Sequence, residues 1–195
     1  LSALRVLCET SKAYGLPVHL DGARFANAIA SLGCSPADMT WKLGVDVAVF
    51  GGTKNGLMGV EAVVFFDPAK AWEFELRRKR GGHLFSKHRY LSAQMAGYLR
   101  NDLWLELAEK ANANAALLLN GLQSAANIEI VNDVTANMIF FNAPRQLHQH
   151  LKANGAVYNA AAPIDEGPGD EIVRGRLVCD WSIPEADIAQ FLALL

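Results

Sequence analysis

The sequence predicts an α/β protein with a doubly wound, parallel-rich sheet followed by a small α+β C-terminal domain. Three observations predict it. Two short, largely apolar runs, 18–21 and 45–50, have the character of buried parallel strands. A helix rich in small residues, Ala23 to Leu32, lies between them, and a strand–helix–strand rhythm builds parallel sheets. Beyond Asn127, shorter strands alternate with shorter helices. At 195 residues, 51% hydrophobic and 19% charged, the chain suits one full domain with a small appendage. The expected division is 1–126 and 127–195.

The elements follow in order. Residues 1 to about 14 form a helix stopped by Gly15-Leu16-Pro17. Val18-His19-Leu20-Asp21 is the first strand, and Gly22 turns it into the small-residue helix that Gly33 closes. Val45–Phe50 is the second strand, Gly51–Gly56 a loop and Val60–Phe66 the third strand. Asp67-Pro68 starts a helix, a cap residue followed by proline at the first helical position. Two more helices run over 87–100 and 102–125, the second with Leu103, Leu107, Ala111, Leu118 and Leu122 at helical spacing. The C-terminal domain has strands at 128–131, 138–141 and 176–179, helices at 144–153 and 185–195, and a loop at 163–170.

Bulk properties narrow the function. A formal charge of -2 gives no global attraction to nucleic acid or acidic membranes. No apolar run approaches the length of about 20 residues that spans a bilayer. Cys8, Cys34 and Cys179 are far apart and match no metal-ligand spacing, and such a scattered set suits a reducing compartment, the cytoplasm. The chain opens at Leu1 without Met and runs straight into helical sequence, as a fragment or a processed chain would.

Ligands bind at the carboxyl ends of strands in open α/β sheets. Asp21 closes the first strand and Lys54 lies just past the second. A buried carboxylate at a strand end needs a cation, and a protonated pyridine nitrogen is one. Holding that proton makes the ring an electron sink, the basis of pyridoxal 5'-phosphate chemistry. A lysine amine is the group that captures the cofactor's aldehyde. Gly51, Gly52 and Gly56 carry no side chain to block a close approach, and the Thr53 hydroxyl is a candidate donor to the phosphate or a cofactor oxygen. Taken singly, Asp21 is as well explained as a cap or turn former and Lys54 as a solvated loop lysine; their combination after consecutive strands carries the reading.

His19–Ala28 (HLDGARFANA) and Phe50–Gly56 (FGGTKNG) resemble the low-specificity L-threonine aldolases, fold-type I pyridoxal-phosphate enzymes of the β-eliminating lyase group. Arg77–Lys87 (RRKRGGHLFSK) resembles the segment that follows the Schiff-base lysine in that family. The resemblance implies that Lys54 is the Schiff-base lysine and Asp21 the partner of the pyridine nitrogen. It implies that Arg24, one helical turn on, faces the cofactor and the substrate carboxylate. Arg176 matches the arginine that grips that carboxylate bidentately, although Cys179-Asp180 stands where hydroxyl residues are more usual and Arg174 is close by. The implied reaction is aldol cleavage of threonine or allo-threonine to glycine and acetaldehyde, in a homo-oligomer, dimer or tetramer, with a small amino-acid substrate. The phosphate loop and ring-stacking residue of the family have no counterpart before residue 18, so the chain corresponds to the C-terminal half.

Other readings compete. Another fold-type I β-eliminating lyase would share Lys54 and Asp21, and a non-catalytic fragment would keep the fold alone. The basic run Arg77–Arg80 with Lys87, His88 and Arg89 suits a nucleic-acid module, but on a near-neutral protein it better suits a solvated face or an interface. His148 and His150 diverge on a helix and make a poor metal pair. His19 shares a strand face with Asp21 and either orients it or packs. Trp104, Trp181, Phe140 and Phe141 have core character.

Overall fold

In the computed structural model, which describes residues 1–195, helix α1 (Ser2–Ala13) ends where Gly15 takes a left-handed φ of 65°. Strand β1 (His19–Leu20) follows, then helix α2 (Phe25–Leu32), closed by left-handed Gly33. β2 (Val47–Gly51) lies between β1 and β3 (Glu61–Phe65). β1 and β2 are parallel, whereas β2 and β3 are antiparallel. The connection between β2 and β3 is too short for the crossover of about a dozen residues that a parallel pair needs. The parallel-rich expectation therefore gives way here to a mixed sheet.

One face of this sheet presents Leu20, Ala48 and Phe50. Ala48 is buried with Cys8, Leu43 and Val45, and Leu4, Val18, Leu20 and Phe66 pack against that cluster. Helix α1 thus contributes its Leu4–Cys8 stripe to the core. Asp46 ties the entry of β1 in place by accepting from the Val18 N–H at 2.8 Å. Beyond β3, Asp67 caps a 3-10 turn by accepting from Ala69 N–H at 3.0 Å, with Pro68 at the first helical position. Helices α3 (Ala71–Arg80), α4 (Arg89–Leu99) and α5 (Leu103–Gln123) complete the helical series.

The chain forms two compact units, Leu1–Leu107 and Ala108–Leu195. The division falls inside α5, while the sequence places the change of character at 126/127, where helix gives way to strand. The reason is that the later turns of α5 belong to the second core. Ala115, Leu118 and Leu122 are buried there with Ile139, Phe141, Leu177 and Ile188.

That second unit is an antiparallel sheet in the order β4 (Glu129–Ile130), β5 (Met138–Pro144), β7 (Ile172–Val178), β6 (Asn159–Ala160), with helices α6 (Arg145–Ala153) and α7 (Glu185–Leu192). β5 and β7 alternate strictly, with Ile139, Phe141, Ala143, Val173 and Leu177 buried. No helix of the chain is long and apolar enough to cross a membrane.

Candidate functional site

The predicted site residues of the first unit sit on two loops at the carboxyl ends of β1 and β2. Asp21 directly follows β1, and Lys54 is the middle residue of a 3-10 turn, Thr53–Asn55, that follows β2. Glycines set how closely the loops approach. A Cβ on Gly22 would overlap the Val49 carbonyl, and one on Gly51 would lie 2.6 Å from the Gly22 oxygen. The Gly51 N–H donates to the Gly22 carbonyl at 3.1 Å, and that same oxygen accepts from Phe25 N–H at 2.9 Å. The backbone that ends at Asp21 is therefore bonded directly to the backbone that leads to Lys54.

This changes the reading of the glycine-rich loop. Gly51 and Gly52 do not open the backbone to a ligand. Space beside Gly51 is filled by Gly22 and Ala23, and a Cβ on Gly52 would meet Leu57 Cδ1 at 2.5 Å and the Val60 oxygen at 2.8 Å. Gly56 is different, with a left-handed φ of 116° that a residue with a side chain rarely adopts.

Asp21 is exposed rather than buried, a correction to the expected low-dielectric carboxylate. One oxygen, Oδ1, accepts from Ala23 N–H at 3.0 Å, the turn-forming role that short acids often take. Its second oxygen faces no donor of the chain. Lys54 is exposed and in no ion pair. Arg24 stands immediately before α2 as its N-terminal flanking residue and is half-buried, so the helix begins at Phe25 instead of Ala23. Thr53 Oγ1 is 3.4 Å from the Val60 oxygen, long for a hydroxyl bond. His19 lines an apolar cleft with Val47, Val49, Val63, Phe65 and Phe74.

Beneath the two loops is an aromatic platform that the sequence did not disclose as a unit. Phe50, the residue before Gly51, contacts Phe25 at 5.7 Å, Tyr98 at 5.6 Å and Trp104 at 5.4 Å between ring centroids. Each such pair contributes roughly 0.5–1.5 kcal/mol beyond the area it buries. Asn55, also unremarked in the sequence, is buried and donates to Tyr98 Oη at 2.6 Å and to the Trp104 carbonyl at 2.8 Å. Burial pushes the Tyr98 hydroxyl above its ordinary value, partly offset by the bond from Asn55. The burial of Asn55, which only the fold reveals, is what marks it, because a buried amide needs hydrogen-bond partners.

Arg176 belongs to the second unit. It lies in β7 opposite Phe140 of β5 and Asn159 of β6, is half-buried, and its Nε has no acceptor. Arg174 shares its face but is exposed, 3.5 Å from Asn142 Oδ1. Neighbouring Gly175 points the other way, where a Cβ would overlap the Phe141 ring.

The groups in the first unit suit pyridoxal phosphate by their chemistry. An unpaired primary amine and a carboxylate with an uncommitted oxygen follow adjacent parallel strands. The whole fold defines the class more firmly. It is similar to the threonine aldolase of Leishmania major with a TM-score of 0.86 and 25% identity, over 98% of this chain and 54% of that one. The chain thus has the α/β architecture of fold-type I pyridoxal-phosphate enzymes. Residues 1–144 match the family model described as beta-eliminating lyase, and the chain belongs to that family. It is 40% identical over 178 residues to a low specificity L-threonine aldolase of Pseudomonas aeruginosa, covering 91% of this chain and 49% of the relative. A second such aldolase, from another Pseudomonas, is 38% identical over 190 residues, 97% of this chain and 53% of the relative. The chain spans about half the length of these curated relatives.

Proposed function

We propose that this chain carries the cofactor lysine of a pyridoxal-phosphate-dependent lyase that cleaves β-hydroxy-α-amino acids such as threonine to glycine and an aldehyde. The observation that carries it is the backbone bond joining the Asp21 loop to the Lys54 turn at the ends of parallel strands. In this reading Lys54 holds the cofactor through its amine, and the uncommitted oxygen of Asp21 holds a proton on the ring nitrogen. Arg24 and Thr53 are proposed as further cofactor or carboxylate contacts, and Arg176 as the guanidinium that grips the substrate carboxylate, supported by its half-buried place and free Nε. When bound, the cofactor supplies an electron sink for the pair left at Cα as the Cα–Cβ bond breaks.

The chain's own contribution is orientation. A bidentate grip on the carboxylate turns the Cα–Cβ bond toward the geometry of best overlap, which is where positioned groups gain most. With substrate bound, the Lys54 amine would be the group placed to move a proton at Cα.

The same reading makes the protein a homo-oligomer of the cytoplasm acting on a small amino acid, on the support of family pattern and three scattered free cysteines. A second reading, elimination of a leaving group from Cβ, is favoured by the description of the matching family model. Reduction with borohydride in the presence of pyridoxal 5'-phosphate, followed by peptide mapping, tests the core claim. The expected product is modification of Lys54 alone, lost in K54A; modification elsewhere defeats the assignment. Acetaldehyde release from threonine, against ammonia release from a Cβ-substituted amino acid, separates the two reactions.

A further inference from the structure

Successive side chains of a 3-10 turn point about 120° apart, so the three residues of Thr53–Asn55 cannot share a direction. Thr53 and Lys54 are exposed, and Asn55 is 2% exposed. The asparagine is thus the turn's inward anchor. Its Nδ2 meets Tyr98 Oη at 2.6 Å and the Trp104 carbonyl at 2.8 Å. A backbone carbonyl only accepts, which settles which end of the amide faces α5.

Two features separate this from ordinary core filling. Asn55 Oδ1 is buried without a hydrogen-bond partner. An apolar residue of equal size would avoid that desolvated oxygen, so an asparagine here points to a need for its two N–H donors. The acceptors are also presented at a cost. Between α4, which carries Tyr98, and Trp104 of α5, Asn101 and Asp102 hold φ of 53° and 57°, a left-handed pair outside glycine. Strained backbone persists where the surrounding structure fixes it, and here it lies within a few residues of the Trp104 carbonyl that Asn55 holds.

We propose that Asn55 is the positioning residue for Lys54, fixing the roll of the turn through Tyr98 and the Trp104 carbonyl so that the lysine amine is held over the strand ends. This rests on the reading of Lys54 as the cofactor lysine. Asn55 itself touches neither substrate nor cofactor in this role; it acts through the turn, whose Asn55 and Leu57 N–H groups both donate to the Gly52 carbonyl at 3.0 Å.

N55L keeps the branched outline of the side chain and removes both donors, and Y98F removes one acceptor while leaving the Trp104 bond. In the holoenzyme, N55L is expected to lower kcat about tenfold or more with KM little changed, because a small misplacement of a reacting group acts on the chemical step. It is also expected to shift the pH midpoint of the visible absorbance given by bound pyridoxal 5'-phosphate. In the cofactor-free protein, amide exchange at residues 53–57 should quicken by about tenfold, as local opening becomes easier, with global unfolding unchanged. Y98F should move the same readouts in the same direction by less, and serves alone if N55L does not fold. Unchanged exchange, midpoint and kcat in a folded variant would overturn the proposal. Failure of unaltered protein to be labelled at Lys54 defeats the cofactor reading instead, and the exchange measurement still decides whether Asn55 holds the turn.

Discussion

Gly22 shows how much a single missing methyl group decides. Its φ is not left-handed, so its role is spatial: the Val49 carbonyl occupies the place a Cβ would take. G22A should therefore force the two loops apart, and overpacking of this kind typically costs about 1–3 kcal/mol. The expected result is a lower urea midpoint together with slower borohydride labelling of Lys54; an unchanged midpoint would remove the close approach from the account. Asp21 and Lys54 stand out in the sequence because each is a charged residue in a glycine-containing loop that follows an apolar run. The purpose of those glycines was not legible, since a pattern of small residues reads alike whether ligand or chain fills the space. Asn55 was hidden for a related reason, as nothing local shows that it turns inward toward residues 98 and 104.

At the scale of elements, the strands illustrate what periodicity reveals. β2 and β5 stood out as apolar runs, whereas β7 extends four residues earlier than the apolar pattern indicates, beginning at Ile172. Arg174-Gly175-Arg176 masks its alternation, because the inward position is a glycine placed beneath the Phe141 ring and His148. G175A should destabilise by about 1–3 kcal/mol through that overlap, read as a fall in thermal midpoint. His148 of α6 makes β7 sensitive to acid. It is fully buried, with Nδ1 2.7 Å from Tyr158 Oη and Nε2 3.0 Å from the Val173 oxygen. Burial holds its pKa below the ordinary 6.5, opposed by bonds to the Val173 and Ala143 backbone and reinforced by Arg145. Above that value the ring is neutral both folded and unfolded. As pH falls through it, the unfolded chain takes up a proton that the folded chain resists, so stability declines until the folded ring also protonates. Urea midpoints measured from pH 7.5 down to 5.5 should fall more in the unaltered protein than in H148Q; equal slopes would exclude the histidine as the cause.

Over the whole molecule, the α/β class and the order of nearly every element could be read from the sequence, because long apolar periods outweigh local exceptions. The antiparallel placement of β3 could not, since a strand's own residues do not state its direction; only the brevity of the preceding loop does. The proposed cofactor contacts Asp21, Arg24, Thr53 and Lys54 all lie in the unit Leu1–Leu107, while Gly175 lies in Ala108–Leu195. G175A, assayed well below its melting midpoint, should thus retain borohydride labelling of Lys54, and loss of labelling in the folded variant would show that capture of the cofactor draws on the second unit. The bond from Gly51 to the Gly22 carbonyl has an evolutionary consequence as well. Neither loop can accept a larger residue while the other stays as it is, so lineages that preserve this architecture should keep or lose the two glycines together, and the pair should mutate as one inherited character.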